Sequence, residues 1–422
     1  MARRALIGAL AALALLTAAC TDDSSRPDAK ATTTTTPPRP VRVGVTLSPE
    51  PASGTYGGAV VRALVYPQLF RATPEGKWEA SLVQPGSDKT RRGAHSARFR
   101  LRRNARWSDG SAITVSDLRR TLDGRVVSGI DEPTKTGTIV VHFSRRMPEW
   151  RRLWSGLEAI TPPRDGLFGG AYAVDHVTPG LETVLVANRR YWGAKPTITE
   201  VHLLLVPDAE IQARLMEQGE LDVIAPFAFT DRTRRLNRIK DAHVLRGSAR
   251  GGWTASLVAN PSRLTPAQRQ TMFAVANGPR FADVLLHGEA ISTAARTAAP
   301  PTAAGGPTPS ITTPLESSAA TLLLHGMQRA GHKAGRDFDL RQADYDQVLA
   351  ADVAGQFDFM FRLAPTTPTP VATADFVRDF RLLPLWRERP VAAVRDGLLD
   401  VSVNGFSASG PLWNVEMWRW AR

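Results

Sequence analysis

Strand-like and helix-like segments alternate along most of this sequence. Residues 41–45 (VRVGV) alternate with β-branched side chains and predict a first strand, and residues 57–70 carry apolar residues at helical spacing. The same alternation returns at residues 201–206, 208–218 and 221–225, which predict a strand, a helix and a short buried strand. A chain with interleaved strands and helices is expected to form an α/β fold.

The same patterns predict further elements. Residues 172–177 and 183–187 are expected to pair as a hairpin, because a proline-glycine turn separates them. Residues 293–314 and 364–374 are rich in proline, threonine and alanine and predict loops. The other predicted strands are 97–101, 138–143, 338–342 and 357–361, and the other predicted helices are 114–122, 319–330 and 345–355.

The first twenty residues have the pattern of an export signal. A basic start is followed by an apolar run in residues 5–16, and small residues precede Cys20, the only cysteine. The segment LTAAC resembles a lipobox, so residues 1–19 are predicted to be a signal peptide and Cys20 to carry lipid. A spare buried thiol, or an ordinary signal with an incidental cysteine, is the alternative.

Residues 20–40 are predicted to form a lipidated cysteine followed by a disordered tether. The stretch is polar and has no apolar periodicity, so it buries too little surface to fold. The protein is therefore expected to be exported and anchored by lipid to the outer face of the cell membrane.

The formal net charge of +13 at pH 7 admits nucleic acid or an anionic surface as a partner. The arginines are scattered in pairs, however, and form no long run. We attribute the charge to composition and predict no nucleic-acid partner.

No arrangement of residues points to catalysis. The eight histidines form no i, i+4 pair for a metal, and no glycine-rich phosphate loop is present. Residues 405–410 (GFSASG) lack the serine spacing of a nucleophile elbow and predict a turn. We predict that the protein is not an enzyme and has no metal or other cofactor; an envelope hydrolase remains the weakest alternative.

Several short sequence motifs follow one another in the part of the chain after residue 40. In residues 99–110 (FRLRRNARWSDG) and 113–118 (ITVSDL), a strand ends in an aromatic-x-Asp-Gly turn and a Thr-x-x-Asp helix start follows. Together the motifs resemble the extracellular solute-binding proteins of family 5, which serve peptide, dipeptide and nickel importers. The other motifs are LVYPQLF (64–70), PEGKWEASL (74–82), GGAY (169–172), NRRYWG (188–193), QGELD (218–222), FDF (357–359) and LPLW (383–386).

The resemblance implies a two-lobed periplasmic-binding-protein-like fold (type II, oligopeptide-binding-like) with a hinge that closes on a ligand. It implies a small-molecule or peptide ligand, an ABC permease in the membrane as partner, and a monomer. It assigns residues 41–62, 63–165 (a subdomain), 166–252 and 391–422 to lobe I, and residues 253–390 to lobe II.

The sequence departs from the family in the second lobe. Family members usually run longer, and the missing length falls there. After Phe361 the family has a Trp-x-x-Asp segment whose acidic residue binds a peptide amine in the peptide-specific members. Here Arg362 leads into a proline-threonine loop, so that ligand group is not carried over.

Five residues are candidates for ligand contact: Glu50 and Tyr56 after the first strand, Trp253 where the chain is expected to cross between lobes, and Phe361 and Arg362. Glu50 suits a cation or amine, Arg362 a carboxylate, and the rings apolar groups. An ordinary loop or core role is the alternative for each.

We predict a membrane-anchored solute-binding lipoprotein that captures a small solute, with peptides among the candidates, for an ABC-type importer. The alternative is a degenerate scaffold of the same fold that acts in the cell envelope as a protein-interaction or regulatory lipoprotein without transport.

Overall fold

A computed structural model describes the folded body of the chain. The described residues are 39–52, 56–121, 126–156, 159–225, 233–248, 250–276, 290–292, 308–314, 318–333, 335–343, 345–366, 379–407 and 409–421. The predicted signal peptide, Cys20 and residues 21–38 of the predicted tether lie outside these ranges.

Strands in the described residues are numbered in chain order. They are β1 (Val41–Val45), β2 (Phe70–Ala72), β3 (Trp78–Ala80), β4 (Lys89–Arg91), β5 (Ser96–Arg100), β6 (Val127–Ile130), β7 (Thr138–Phe143), β8 (Tyr172–Thr178), β9 (Glu182–Ala187), β10 (Glu200–Leu205), β11 (Val223–Ala225), β12 (Ala242–Arg246), β13 (Trp253–Ala259), β14 (Ala290–Ser292), β15 (Ser310–Pro314), β16 (Asp339–Ala343), β17 (Phe359–Pro365), β18 (Leu382–Glu388), β19 (Val391–Arg395), β20 (Leu398–Leu399) and β21 (Arg419–Trp420).

Helices in the described residues are α1 (Tyr56–Val65), α2 (Val115–Arg120), α3 (Ala209–Glu217), α4 (Thr233–Leu236), α5 (Pro266–Ala276), α6 (Ser318–Lys333) and α7 (Tyr345–Ala354). Short 3-10 helices cover Arg92–Ala94, Trp150–Arg152 and Gly410–Met417.

The first lobe is built on a seven-stranded sheet in the order β12-β19-β11-β1-β10-β9-β8. Strand β1 lies in its interior, parallel to both β10 and β11. Both faces of this region are covered, so β1 is apolar at nearly every position and does not alternate with polar residues. The apolar side of α1 packs on one face, where Val60, Val61 and Val65 join Val41 and Val43 in a buried cluster.

A four-stranded antiparallel sheet, β4-β5-β7-β6, lies within the predicted subdomain and has a core of its own. Its core contains Phe99, Trp107 and Trp150, all fully buried. Helix α2 begins after Thr114, which forms a capping box with Asp117 as the sequence predicts.

The second lobe is built on a six-stranded sheet in the order β14-β18-β13-β17-β15-β16. Its core holds aromatic rings from neighbouring strands: the rings of Phe361 and Trp386 lie 5.8 Å apart, and those of Phe273 and Phe359 lie 6.3 Å apart. This arrangement confirms the predicted α/β fold class, with two lobes that have separate sheets and separate cores.

The chain passes between the two sheets from β12 into β13 and returns from β18 into β19. The two passages are adjacent, because the N–H of Gly247 donates to the carbonyl of Pro390 (2.9 Å). The N–H of Gly252 donates to the carbonyl of Gly405 (2.6 Å), so a turn of the first lobe is bound to the first passage.

Gly252 is required by the geometry of this crossing. Its φ is +133°, and a Cβ added to it would lie 2.0 Å from the carbonyl oxygen of Glu388 on the returning passage. Only glycine lets the two passages approach this closely.

Two predicted loops are wrong in part. The last residues of the predicted loop 293–314 form β15, which pairs in parallel with β16 and β17. Likewise, Ala364 and Pro365 of the predicted loop 364–374 belong to β17. In both places pairing with distant strands overrides a composition that is typical of loops. Residues 293–307 and 367–374 lie outside the described part of the chain.

The predicted helix at 57–70 is too long. Helix α1 ends at Val65, because Pro67 disfavours helical geometry in the residue before it, and β2 begins at Phe70. The hairpin of β8 and β9, and strands β1, β5, β7, β10 and β11, confirm the sequence prediction.

Candidate functional site

The parallel strands of the first lobe define where a ligand can bind. Strands β10 and β11 lie on opposite sides of β1, so the connection from β10 through α3 to β11 passes over β1. Open α/β sheets bind ligands beyond the carboxyl ends of their strands, at the point where the strand order reverses. In this sheet that point lies beyond Val45 of β1 and Ala225 of β11.

A cavity of about 40 Å³ lies at this point. Ala225 lies at its margin, and Trp253 and Pro390 close it on the side where the chain crosses between lobes. Most of the remaining wall is aliphatic: Val45, Leu47, Val60, Val61, Leu203 and Leu412.

The polar content of the cavity wall is small. Among the described residues that line it none carries a charge, and Ser409 supplies a hydroxyl. Ser409 is 6% exposed, and its side chain does not cap the 3-10 helix that begins at Gly410. The cavity is therefore suited to an uncharged, mainly apolar group.

The loop that follows β1 forms one wall of the cavity and is held by hydrogen bonds from outside the loop. The hydroxyl of Thr183 donates to the carbonyl of Pro49 (2.8 Å), and Arg62 Nη1 donates to the carbonyl of Pro51 (2.6 Å). These contacts tie the loop to β9 and to α1, so this wall is formed before any ligand arrives.

Glu50 takes part in the same set of contacts. Its Oε1 accepts a hydrogen bond from the N–H of Gly180 in the β8–β9 turn (2.8 Å) and from the hydroxyl of Ser48 (3.3 Å). The structure thus places this predicted ligand residue in the loop beside the cavity, bound to a turn of its own lobe. Tyr56 begins α1 next to the same loop, and its side chain lies outside the described part of the structure.

The three other predicted ligand residues do not lie together in the structure. Trp253 is 3% exposed and lines the cavity. Phe361 is 1% exposed in the core of the second lobe, where it contacts Trp386, whereas the neighbouring Arg362 is exposed. Trp253 therefore lines the cavity, Glu50 lies in the loop beside it without lining it, and Phe361 contributes to the core of the other lobe.

Several lining residues carried no signal that sequence reasoning used. Val60, Val61 and Leu203 look like ordinary core positions, and their place at the cavity depends on which strand lies beside β1. Ser409 lies in the segment that we predicted to be a turn, and no chemical motif marks it.

Behind this wall lies a partly buried ion pair. Arg71 of β2 pairs with Glu416 and also donates to the carbonyl of Trp413, both in the 3-10 helix that continues from the cavity wall. Burial lowers the pKa of Arg71, but the carboxylate of Glu416 raises it more, so the pKa is above its ordinary value. Burial raises the pKa of Tyr172, whose hydroxyl donates to the carbonyl of Ile198 (2.9 Å).

The described residues contain neither a cluster suited to a metal ion nor a helix suited to cross a membrane. No group of three or more histidine, cysteine, aspartate or glutamate side chains there is arranged to hold a metal ion. No helix in the described residues is long and apolar enough to cross a membrane.

A family model described as "Bacterial extracellular solute-binding proteins, family 5 Middle" matches residues 87–378, more than half of the chain. A comparison with curated proteins gave no match.

Solved structures share the fold at low sequence identity. The oligopeptide-binding protein AppA from Bacillus subtilis, in complex with a nonapeptide, is 12% identical with a TM-score of 0.70, covering 91% of this chain and 99% of that chain. AgaA from A. tumefaciens R10, in complex with agropinic acid, is 14% identical with a TM-score of 0.71, covering 91% and 99%. NikA from Staphylococcus aureus, in complex with Ni(L-His)2, is 14% identical with a TM-score of 0.64, covering 87% and 97%.

Proposed function

Because this chain belongs to family 5 of the bacterial extracellular solute-binding proteins, we propose that it captures a small solute between its lobes and delivers it to an ABC-type importer. The single observation that supports this most strongly is the position of the cavity. It lies beyond the carboxyl ends of β1 and β11 and is closed on one side by Trp253 and Pro390, the residues at the two passages between lobes.

The crossing supports closure of one lobe against the other. Each sheet has its own core, and the adjacent passages at Gly247 and Pro390 connect them. Rotation about two short, adjacent segments changes few packed contacts, which is how hinged domains close around ligands. Trp253 lies at this crossing and in the cavity wall, so closure and occupancy of the cavity are coupled through one side chain.

The proposal includes a lipid anchor at Cys20. At the amino end of β1, Arg39 pairs with the buried carboxylate of Asp222 (2.6 Å) and lies over the ring of Trp420. The cavity lies at the opposite, carboxyl end of β1. An anchor that precedes Arg39 is therefore connected to the first lobe at the end of β1 opposite to the cavity.

The anchor is tested by fractionating cells that express the full chain or its Cys20→Ser variant. We expect the full chain in the membrane fraction and the variant released from it. Equal membrane retention of both forms would contradict lipid attachment at Cys20.

Solute binding is tested on a purified form that begins after Cys20. Thermal unfolding is measured with short peptides, nickel with histidine, opine-type conjugates and sugars. A ligand that binds only the native state stabilises it by about 2.7 kcal/mol at a hundredfold excess over its Kd. We expect one class of solute to raise the Tm and to change tryptophan fluorescence.

Matched variants make the fluorescence test specific. Trp253→Phe should remove most of the ligand-induced change, whereas Trp78→Phe in β3 of the subdomain should retain it. Unchanged stability with every solute class, together with a stable protein partner in the envelope, would reject the transport proposal in favour of a scaffold without transport.

A further inference from the structure

The charged groups near the cavity are directed into contacts of the protein itself. Glu50 accepts the N–H of Gly180, and Arg62 donates to the carbonyl of Pro51. Neither residue lines the cavity, and the described residues that do line it are uncharged. A charged group inside this wall would lose its hydration without gaining an opposite charge, which is strongly unfavourable.

The size of the cavity limits what it can hold. A site for one water needs about 10–15 Å³. The cavity of about 40 Å³ therefore has room for about three waters. Its mainly aliphatic wall suits a compact apolar group, such as an isopropyl or isobutyl group, better than a charged one.

Close contact in the cavity wall restricts its expansion. A Cβ added to Gly57 of α1 would lie 2.2 Å from the carbonyl oxygen of Ser48, so helix and loop are already in contact. The loop is also held by Thr183 and Arg62 through the carbonyls of Pro49 and Pro51. These contacts hold the described part of this wall in place, which favours solute groups that match the cavity.

We propose that this cavity is a specificity site that takes a small, uncharged, branched aliphatic group of the solute. This inference rests on the proposed function, because it assigns part of the solute that the lobes enclose. It names a class of solute: molecules with a group of the size of a valine or leucine side chain.

The test uses probes with one carbon skeleton and different charge. Isobutanol, isobutylammonium and isobutyrate are titrated into the purified protein, and methyl NMR follows Val60, Val61 and Leu203 of the wall. We expect saturable shifts with isobutanol, and affinities about a hundredfold or more weaker for the two ions. Equal responses to all three probes, or methyl shifts confined to other regions, would overturn the proposal.

Two variants change the size of the cavity in opposite directions. Ala225→Leu should fill it and weaken isobutanol binding about tenfold or more, and Val60→Ala should shift the preference towards the longer 3-methylbutanol. The second variant keeps the test decisive if the first fails to fold. Leu181→Ala, at a side chain that is 54% exposed, is the control and should bind as the parent does.

Failure of the cavity assignment can be distinguished from failure of the proposed transport function. Probe binding in the cavity with no response to the solute panel would reject transport but leave the cavity assignment intact. A solute that raises the Tm equally in the parent and in Ala225→Leu would support solute binding and reject the cavity assignment.

Discussion

Asp117 belongs to the most extensive motif of the sequence, and the structure gives it a structural role. Its carboxylate accepts the N–H of Thr114 (2.7 Å) and pairs with Arg120, while the indole N–H of Trp107 lies 3.5 Å away. Asp117 is 5% exposed, so these contacts compensate for burial of its charge. The motif therefore identifies the fold of the subdomain and carries no information about the ligand.

Gly57 is a position where the usual preference for alanine in helices is reversed. Gly57→Ala should lower the free energy of unfolding by about 1–3 kcal/mol, because the new Cβ would lie 2.2 Å from the carbonyl oxygen of Ser48. Denaturant unfolding measures the effect. Gly129→Ala, where a Cβ meets nothing within 4 Å, should change stability by less than about 0.5 kcal/mol. Similar values for both variants would contradict the close contact.

Asp358 makes the stability of the second lobe depend on pH. Burial raises its pKa, but hydrogen bonds from Arg263 (2.8 Å) and from Ser310 N–H (3.1 Å) lower it more, so the pKa is below its ordinary value. Its stabilising contribution is therefore fully present above the unfolded pKa of about 3.9 and is lost as pH falls through the lower folded pKa.

Asp358→Asn should reduce the free energy of unfolding by about 2 kcal/mol at neutral pH. The difference from the parent should narrow in acid, below the folded pKa of Asp358. Unfolding curves across the acid range measure this, with the exposed Asp339→Asn as control. A difference that is constant with pH would show that the charge of Asp358 contributes nothing.

At the scale of elements, the sequence patterns work best where packing is local. β1 and the β8–β9 hairpin were predicted because their apolar positions and turn residues are adjacent in the chain. β15 was missed because its partners β16 and β17 are distant in sequence, and its first residue is bound by Asp358. Long-range pairing of this kind leaves no periodic signal in a short segment rich in threonine and proline.

The ion pair of Arg71 and Glu416 joins two elements that the sequence keeps far apart: β2 and the C-terminal 3-10 helix. Glu416→Gln should destabilise the protein by about 2 kcal/mol, because it leaves the partly buried guanidinium of Arg71 without its carboxylate. The double variant Arg71→Met with Glu416→Leu should recover most of this loss. Thermal and denaturant unfolding of the single and double variants measure both effects. If the loss of stability in the double variant equalled the sum of the losses in the two single variants, direct coupling of Arg71 and Glu416 would be contradicted.

For the molecule as a whole, the fold class could be predicted from the sequence, whereas the position of the candidate cavity could not. The ordered motifs resemble one family, and the two-lobed α/β fold is confirmed. Trp253 lies at the cavity, but Glu50 is bound to Gly180 and Phe361 is core. The position of a cavity depends on which strands become neighbours. No local sequence pattern predicts that β1 pairs with β10 and β11.

Capture of a solute by this protein requires the two lobes to close on it. The chain has one cysteine, Cys20, so a form that begins after it carries spin labels only at Leu181→Cys in the β8–β9 turn and Gln356→Cys in the second lobe. Pulsed electron paramagnetic resonance measures the distance between the labels with and without the solute that raises the Tm. We predict a shorter distance and a narrower distribution when that solute is bound; an unchanged distribution at saturation would contradict closure.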